Sequence, residues 1–122
     1  MYIAIRSEVD SRVLVYPLMK ALWEYGSILL VSSNKQYRRL IEETDTMTFR
    51  NITVLVDENG SADEIIDANF VSKVDYDFVI FDNVSCVDYD VCLVPLGVAF
   101  SVMMVVVFLV RIVQNCLFNN KF

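Results

Sequence analysis

Four acids sit where a parallel sheet would gather them: Glu8, Asp10, Asp57 and Asp82 each follow an apolar run of strand length. In an open α/β sheet, ligands bind in the crevice outside the carboxyl ends of the strands. Acids converging there would suit Mg²⁺, which takes one or two carboxylates and keeps several waters. Ser7, Ser32, Ser33 and Asn83 fall at the same strand ends. Asp, Asn and Ser also favour turns and helix caps in their own right. That plainer reading is preferred, so the four acids stand as weak metal candidates and no metal is expected.

Other chemistries lack their parts. The chain has no His, so Ser–His and Cys–His nucleophilic catalysis is excluded. Cys86, Cys92 and Cys116 are odd in number and have no CxxC spacing, so a zinc site is not expected and free thiols are. A phosphate-binding loop needs glycines that let backbone N–H groups approach the anion. Residues 7–12, Ser-Glu-Val-Asp-Ser-Arg, contain none, and neither G-x-x-x-x-G-K-[ST] nor G-x-G-x-x-G occurs anywhere. No catalytic residue and no cofactor is assigned.

The elements that must position these residues follow from hydrophobic periodicity. Strands are expected at residues 2–5, 27–31, 51–56, 78–81 and 91–94. Pro17 suits the first turn of a helix, where its missing N–H has no partner to lose. Leu18, Ala21, Leu22 and Tyr25 give that helix an apolar stripe, and Gly26 closes it. The stretch from Ser7 to Tyr16 is expected to be a long connection, helical in part. Ser33-Asn34-Lys35-Gln36 and Ser61-Ala62-Asp63-Glu64 have the form of capping boxes. The first predicts a helix with Tyr37, Leu40 and Ile41 inward, and the second a helix running through Ile65, Ile66 and Phe70. Strands this apolar are covered on both faces, and their alternation with helices gives an α/β fold, a three-layer βαβ domain with a mostly parallel sheet.

Residues 75–82, Asp-Tyr-Asp-Phe-Val-Ile-Phe-Asp, and 90–95, Asp-Val-Cys-Leu-Val-Pro, carry a resemblance. Together they are similar to the "YDxVIID" and "ADxVLVP" strands of ParA/MinD-type deviant-Walker ATPases. The likeness covers residues 75–95 well and the order of elements before them loosely. It implies that Asp82 occupies the family's acidic position, which in active members helps organise magnesium and the attacking water. The family's glycine- and lysine-rich loop would fall at residues 7–12, where this chain has neither, so the resemblance implies a degenerate, non-hydrolysing relative. A response-regulator receiver is a competing resemblance, with Glu8 and Asp10 after the first strand and Asp57 after the third. It lacks the Lys after the fifth strand, where Val94-Pro95-Leu96 stands, and has too short a gap between the fourth and fifth strands for a helix.

Charge divides the chain. All sixteen acids and eight of the ten basic residues lie within residues 1–90, giving a net of −8 there and +2 beyond. An acidic body argues against nucleic-acid partners, which need a cationic surface. Residues 91–110 hold no charge at all, and twenty apolar residues are what a helix needs to cross a bilayer. The expected organisation is therefore an α/β domain over residues 1–95, a C-terminal hydrophobic helix over 96–113, transmembrane or buried in protein, and a short tail over 114–122. Arg111 would snorkel to the interface. With no signal peptide read at the start and three unpaired thiols, the cytoplasmic face of a membrane is expected. The functional expectation is a non-enzymatic scaffold or adaptor with protein partners, self included. A Mg²⁺-dependent nucleotide-binding or receiver-like domain is one alternative. A soluble homo-oligomer joined through the C-terminal segment, with cytoplasmic location, is the other.

Overall fold

The computed structural model describes residues 1–8, 10–37, 51–86, 88–94 and 111. Five strands form one all-parallel sheet: β1 (Tyr2–Ile5), β2 (Ile28–Ser32), β3 (Ile52–Val56), β4 (Phe78–Asp82) and β5 (Val91–Leu93), in the order β3-β2-β4-β1-β5. Helix α1 (Arg12–Leu22) joins β1 to β2, and helix α2 (Ala62–Ala68) lies between β3 and β4. Among the described residues, short 3₁₀ turns lie at Trp23–Tyr25, Lys35–Tyr37 and Lys73–Asp75.

Strand alternation sorts the core into two halves. Ile3, Ile5, Ile28, Leu30, Phe78 and Ile80 face α1, where they meet Leu14, Val15, Leu18, Met19 and Leu22. Leu29, Val31, Val79 and Phe81 face α2, where they meet Ala62, Ile65 and Ile66. Every residue of β2 and β4 is buried, as expected of central parallel strands covered on both faces. Each large aliphatic side chain so placed contributes roughly 1.5–3 kcal/mol. At the amino end of the sheet, Gly26 is required by close approach. A Cβ there would collide with the Asp77 carboxyl, which accepts the Ser27 N–H at 2.9 Å and the Ser27 hydroxyl at 3.2 Å.

The structure corrects three local expectations. Helix α1 begins at Arg12, five residues before Pro17, so the proline lies inside the helix and not in its first turn. Proline cannot donate to the Val13 carbonyl, a break that normally costs about 3 kcal/mol. Packing outweighs it here, because Leu14 and Val15 ahead of the proline are as deeply buried as Leu18 and Met19 behind it. Phe70 is not on the inward stripe of α2. The helix stops at Ala68, and Phe70 takes a left-handed φ of 57° and is 97% exposed. The Val71 N–H reaches back to the Ile66 carbonyl at 3.4 Å, as in a Schellman ending, and Val71 takes the core position instead.

The third correction concerns the first capping box. Ser33 does not cap: its hydroxyl donates to the Asn83 carbonyl at 2.9 Å, while Asn34 Oδ1 accepts the Gln36 N–H at 3.0 Å. The helix expected from this point is described only as the turn Lys35–Tyr37, with Tyr37 buried; Leu40 and Ile41 lie outside the described residues. The second capping box holds, with Ser61 Oγ accepting the Glu64 N–H at 3.4 Å. The C-terminal segment 96–113 also lies outside the described residues, Arg111 excepted, which is helical and exposed. Among the described residues, no helix is long and apolar enough to cross a membrane.

Candidate functional site

The strand order locates the crevice. The chain leaves β1 toward β2 on one side and leaves β4 toward β5 on the other, although β1 and β4 are neighbours. Adjacent strands whose connections diverge make a topological switch point, and ligands in open α/β sheets bind outside its carboxyl ends. The order is neither the 2-1-3-4-5 of receiver domains nor the 3-2-1-4-5-6 of dinucleotide-binding folds. The receiver resemblance is therefore set aside.

Asp82 ends β4 at the centre of this place and is fully buried. Its ladder neighbours are Ile5 on β1 and Ser32 on β2. Oδ1 accepts a short hydrogen bond from the Ser11 hydroxyl, and Oδ2 accepts the Ser32 hydroxyl at 2.8 Å. Ser32 can direct its proton inward because its own oxygen is occupied by the Asn34 N–H at 2.9 Å. Ser11, also buried, is the N-cap residue of α1, yet its side chain makes no cap hydrogen bond. A buried carboxyl is costly without partners, and here two hydroxyls from flanking elements supply them.

Tyr37 closes the inner wall. It is fully buried, its ring meets Tyr16 edge-on at 5.7 Å, and its hydroxyl lies beside Ser11 and Asp82 without a well-formed hydrogen bond to either. Burial, reinforced by the charge of Asp82, pushes its phenol far above the ordinary value, so it stays protonated. Asn83 follows in the left-handed region, φ 53°, which Asn tolerates better than most residues. Its backbone N–H donates to the Ile5 carbonyl at 2.9 Å, and its Oδ1 accepts the Ser7 N–H at 2.7 Å.

The four candidate acids do not converge. Asp10 is held by Arg12, whose Nη2 lies 2.5 Å and Nε 2.8 Å from Asp10 Oδ2. Asp10 Oδ1 also accepts the Arg12 backbone N–H at 3.1 Å and the Asn34 amide at 3.3 Å. The hydrogen bond from Arg12 lowers the Asp10 carboxyl below its usual range and raises Arg12 in turn. The stabilisation is present above the ordinary carboxylate pKa and is lost as pH falls through the depressed one. It is small, because the Asp10 side chain is 46% exposed. Asp57 is exposed and turns inward on its own loop, Oδ1 accepting the Asn59 N–H at 2.9 Å. Glu8 is exposed. Among the described residues, no three His, Cys, Asp or Glu side chains group to hold a metal ion.

The acids were readable as strand-end residues, but their partners Ser11, Arg12 and Asn34 were not. A helix start placed at Arg12 would have singled out Ser11 as its cap residue. Chemically, the arrangement protects Asp82 from solvent and turns the protons of Ser11 and Ser32 inward. Comparison with protein-family models, curated proteins and solved structures found no match to this chain.

Proposed function

We propose that this chain is a non-enzymatic α/β module that acts as a scaffold or adaptor for protein partners, held at the cytoplasmic face of a membrane by the apolar segment 96–113. It is a degenerate, non-hydrolysing relative of the deviant-Walker ATPases it resembles. One observation carries the reading: both oxygens of Asp82, the acid where such a fold would run its chemistry, are engaged by Ser11 and Ser32 in the interior. The glycine-free connection at residues 7–12 supports it, as does the Arg12 N–H at the start of α1, which donates to Asp10 Oδ1 at 3.1 Å. The acids Asp10 and Asp57 are likewise held by local partners.

The full chain, purified in detergent, tests both halves. No steady-state ATP or GTP turnover is expected with Mg²⁺ or Mn²⁺, and turnover that disappears on Asp82→Ala would overturn the non-enzymatic reading. In cell fractions the chain is expected with membranes, released by detergent and not by high salt or alkali. Recovery in the soluble pool removes the anchor.

A further inference from the structure

The connection between β4 and β5 sets Val84 and Cys86 on the α2 side of the sheet. It starts at the carboxyl end, where Ser85 bridges Ser61 and its carbonyl accepts the Ala62 N–H at 2.8 Å. It reaches the opposite end at Asp90, whose N–H donates to the Tyr2 carbonyl at 2.8 Å and whose Oδ2 accepts the Tyr2 N–H at 2.7 Å. β5 then climbs beside β1 and sets Cys92 level with Ala4. Val91 and Leu93 pack on the α1 side, so Cys92 between them faces the α2 side. Cys86 packs against that same α2-side cluster. Two half-buried free thiols therefore stand on the descending and ascending arms of one turn, six residues apart and on one face.

Their surroundings are shared. Cys86 lies within electrostatic reach of Cys92, Asp63 and the Arg6 guanidinium. Arg6 also stands 5.9 Å over the Tyr89 ring on the same connection. Burial pushes the Cys86 thiol up, and Arg6 opposes it by favouring the thiolate, the form that attacks disulfides.

We propose that Cys86 and Cys92 form a reversible intramolecular disulfide, a redox clasp across the β4–β5 connection, by exchange with a low-molecular-weight disulfide of the glutathione class. One thiol, deprotonated, attacks the small disulfide, forming a mixed disulfide and releasing one small thiolate, which takes up the proton. The second thiol, deprotonated in turn, attacks the protein-bound sulfur of that mixed disulfide and releases the second small thiol. The protein pair loses two electrons and two protons, and one oxidised glutathione becomes two reduced ones. The short loop favours closure over a lasting adduct.

The full chain carrying Cys116→Ser is equilibrated with oxidised and reduced glutathione, quenched with an alkylating reagent and weighed. The expected product is lighter by two hydrogens, has lost both titratable thiols, yields one cross-linked peptide joining Cys86 to Cys92, and regains both thiols with dithiothreitol. Cys86→Ser and Cys92→Ser, each on that background, are expected to stop at a single glutathione adduct. The proposal is overturned if both thiols remain alkylatable, if each retains glutathione without closure, or if the parent chain cross-links either one to Cys116 in preference.

Discussion

Ser11 opens α1 and Ser61 opens α2, and they do different work. Ser61 is an ordinary N-cap: its hydroxyl accepts the Glu64 N–H, and its backbone is extended. Ser11 holds the equivalent place on α1 and caps nothing, because its hydroxyl donates to Asp82 across 71 residues of chain. The first interaction stabilises a local turn, and the second ties the start of α1 to the end of β4. The same residue type at the same helix position therefore serves local or tertiary structure according to what lies opposite. Opposite Ser11 lies a buried carboxyl, and an unsatisfied buried polar group costs more than a missing cap.

The largest effect should come from removing the carboxyl. Asp82→Ala leaves the Ser11 and Ser32 hydroxyls buried without an acceptor, and a loss of about 3 kcal/mol is expected in urea unfolding. A loss below about 1 kcal/mol would mean that the hydroxyls find other partners and that the tie is unimportant. Next, Ser11→Ala strips one oxygen of buried Asp82 and should cost about 2 kcal/mol, whereas Ser61→Ala should cost about 1 kcal/mol as a lost cap. Equal losses, or the reverse order, would break the contrast between the two serines. The smallest effect belongs to Tyr37→Phe. Its hydroxyl makes no well-formed hydrogen bond, so deletion should change stability by less than about 0.5 kcal/mol. A larger loss would add Tyr37 to the group holding Asp82.

The apolar strands were legible because burial on both faces makes them nearly continuous in hydrophobic character. β1 matches its expected bounds, β3, β4 and β5 differ by a residue at one end, and β2 is shifted by one residue at both ends. For β2 and β4 the reason is specific: Ser32 and Asp82 look like the start of loops, yet they face each other as the last rung of the ladder and satisfy each other there. Pro17 marks a helix start by local propensity alone, whereas the burial of Leu14 and Val15 carries α1 back to Arg12. The site was legible only as a row of acids at strand ends. Which residues meet there depends on β4 lying between β2 and β1, and nothing local to any of those strands encodes that order.

The position of β1 also governs when the sheet can close. Its partners are β4 and β5, with Tyr2 in register with Val79 and Ile3 with Val91. During synthesis the first strand emerges with neither neighbour made. At ribosomal speeds of about 5–20 residues per second, the wait for Val79 is about 4–15 s. β2 and β3 can pair meanwhile, but β4 must later slot between β2 and β1, and pairing at such sequence separation is intrinsically slow. The buried rung that seals Asp82 is thus assembled late, and a nascent chain halted before residue 78 carries an apolar first strand with no edge to join.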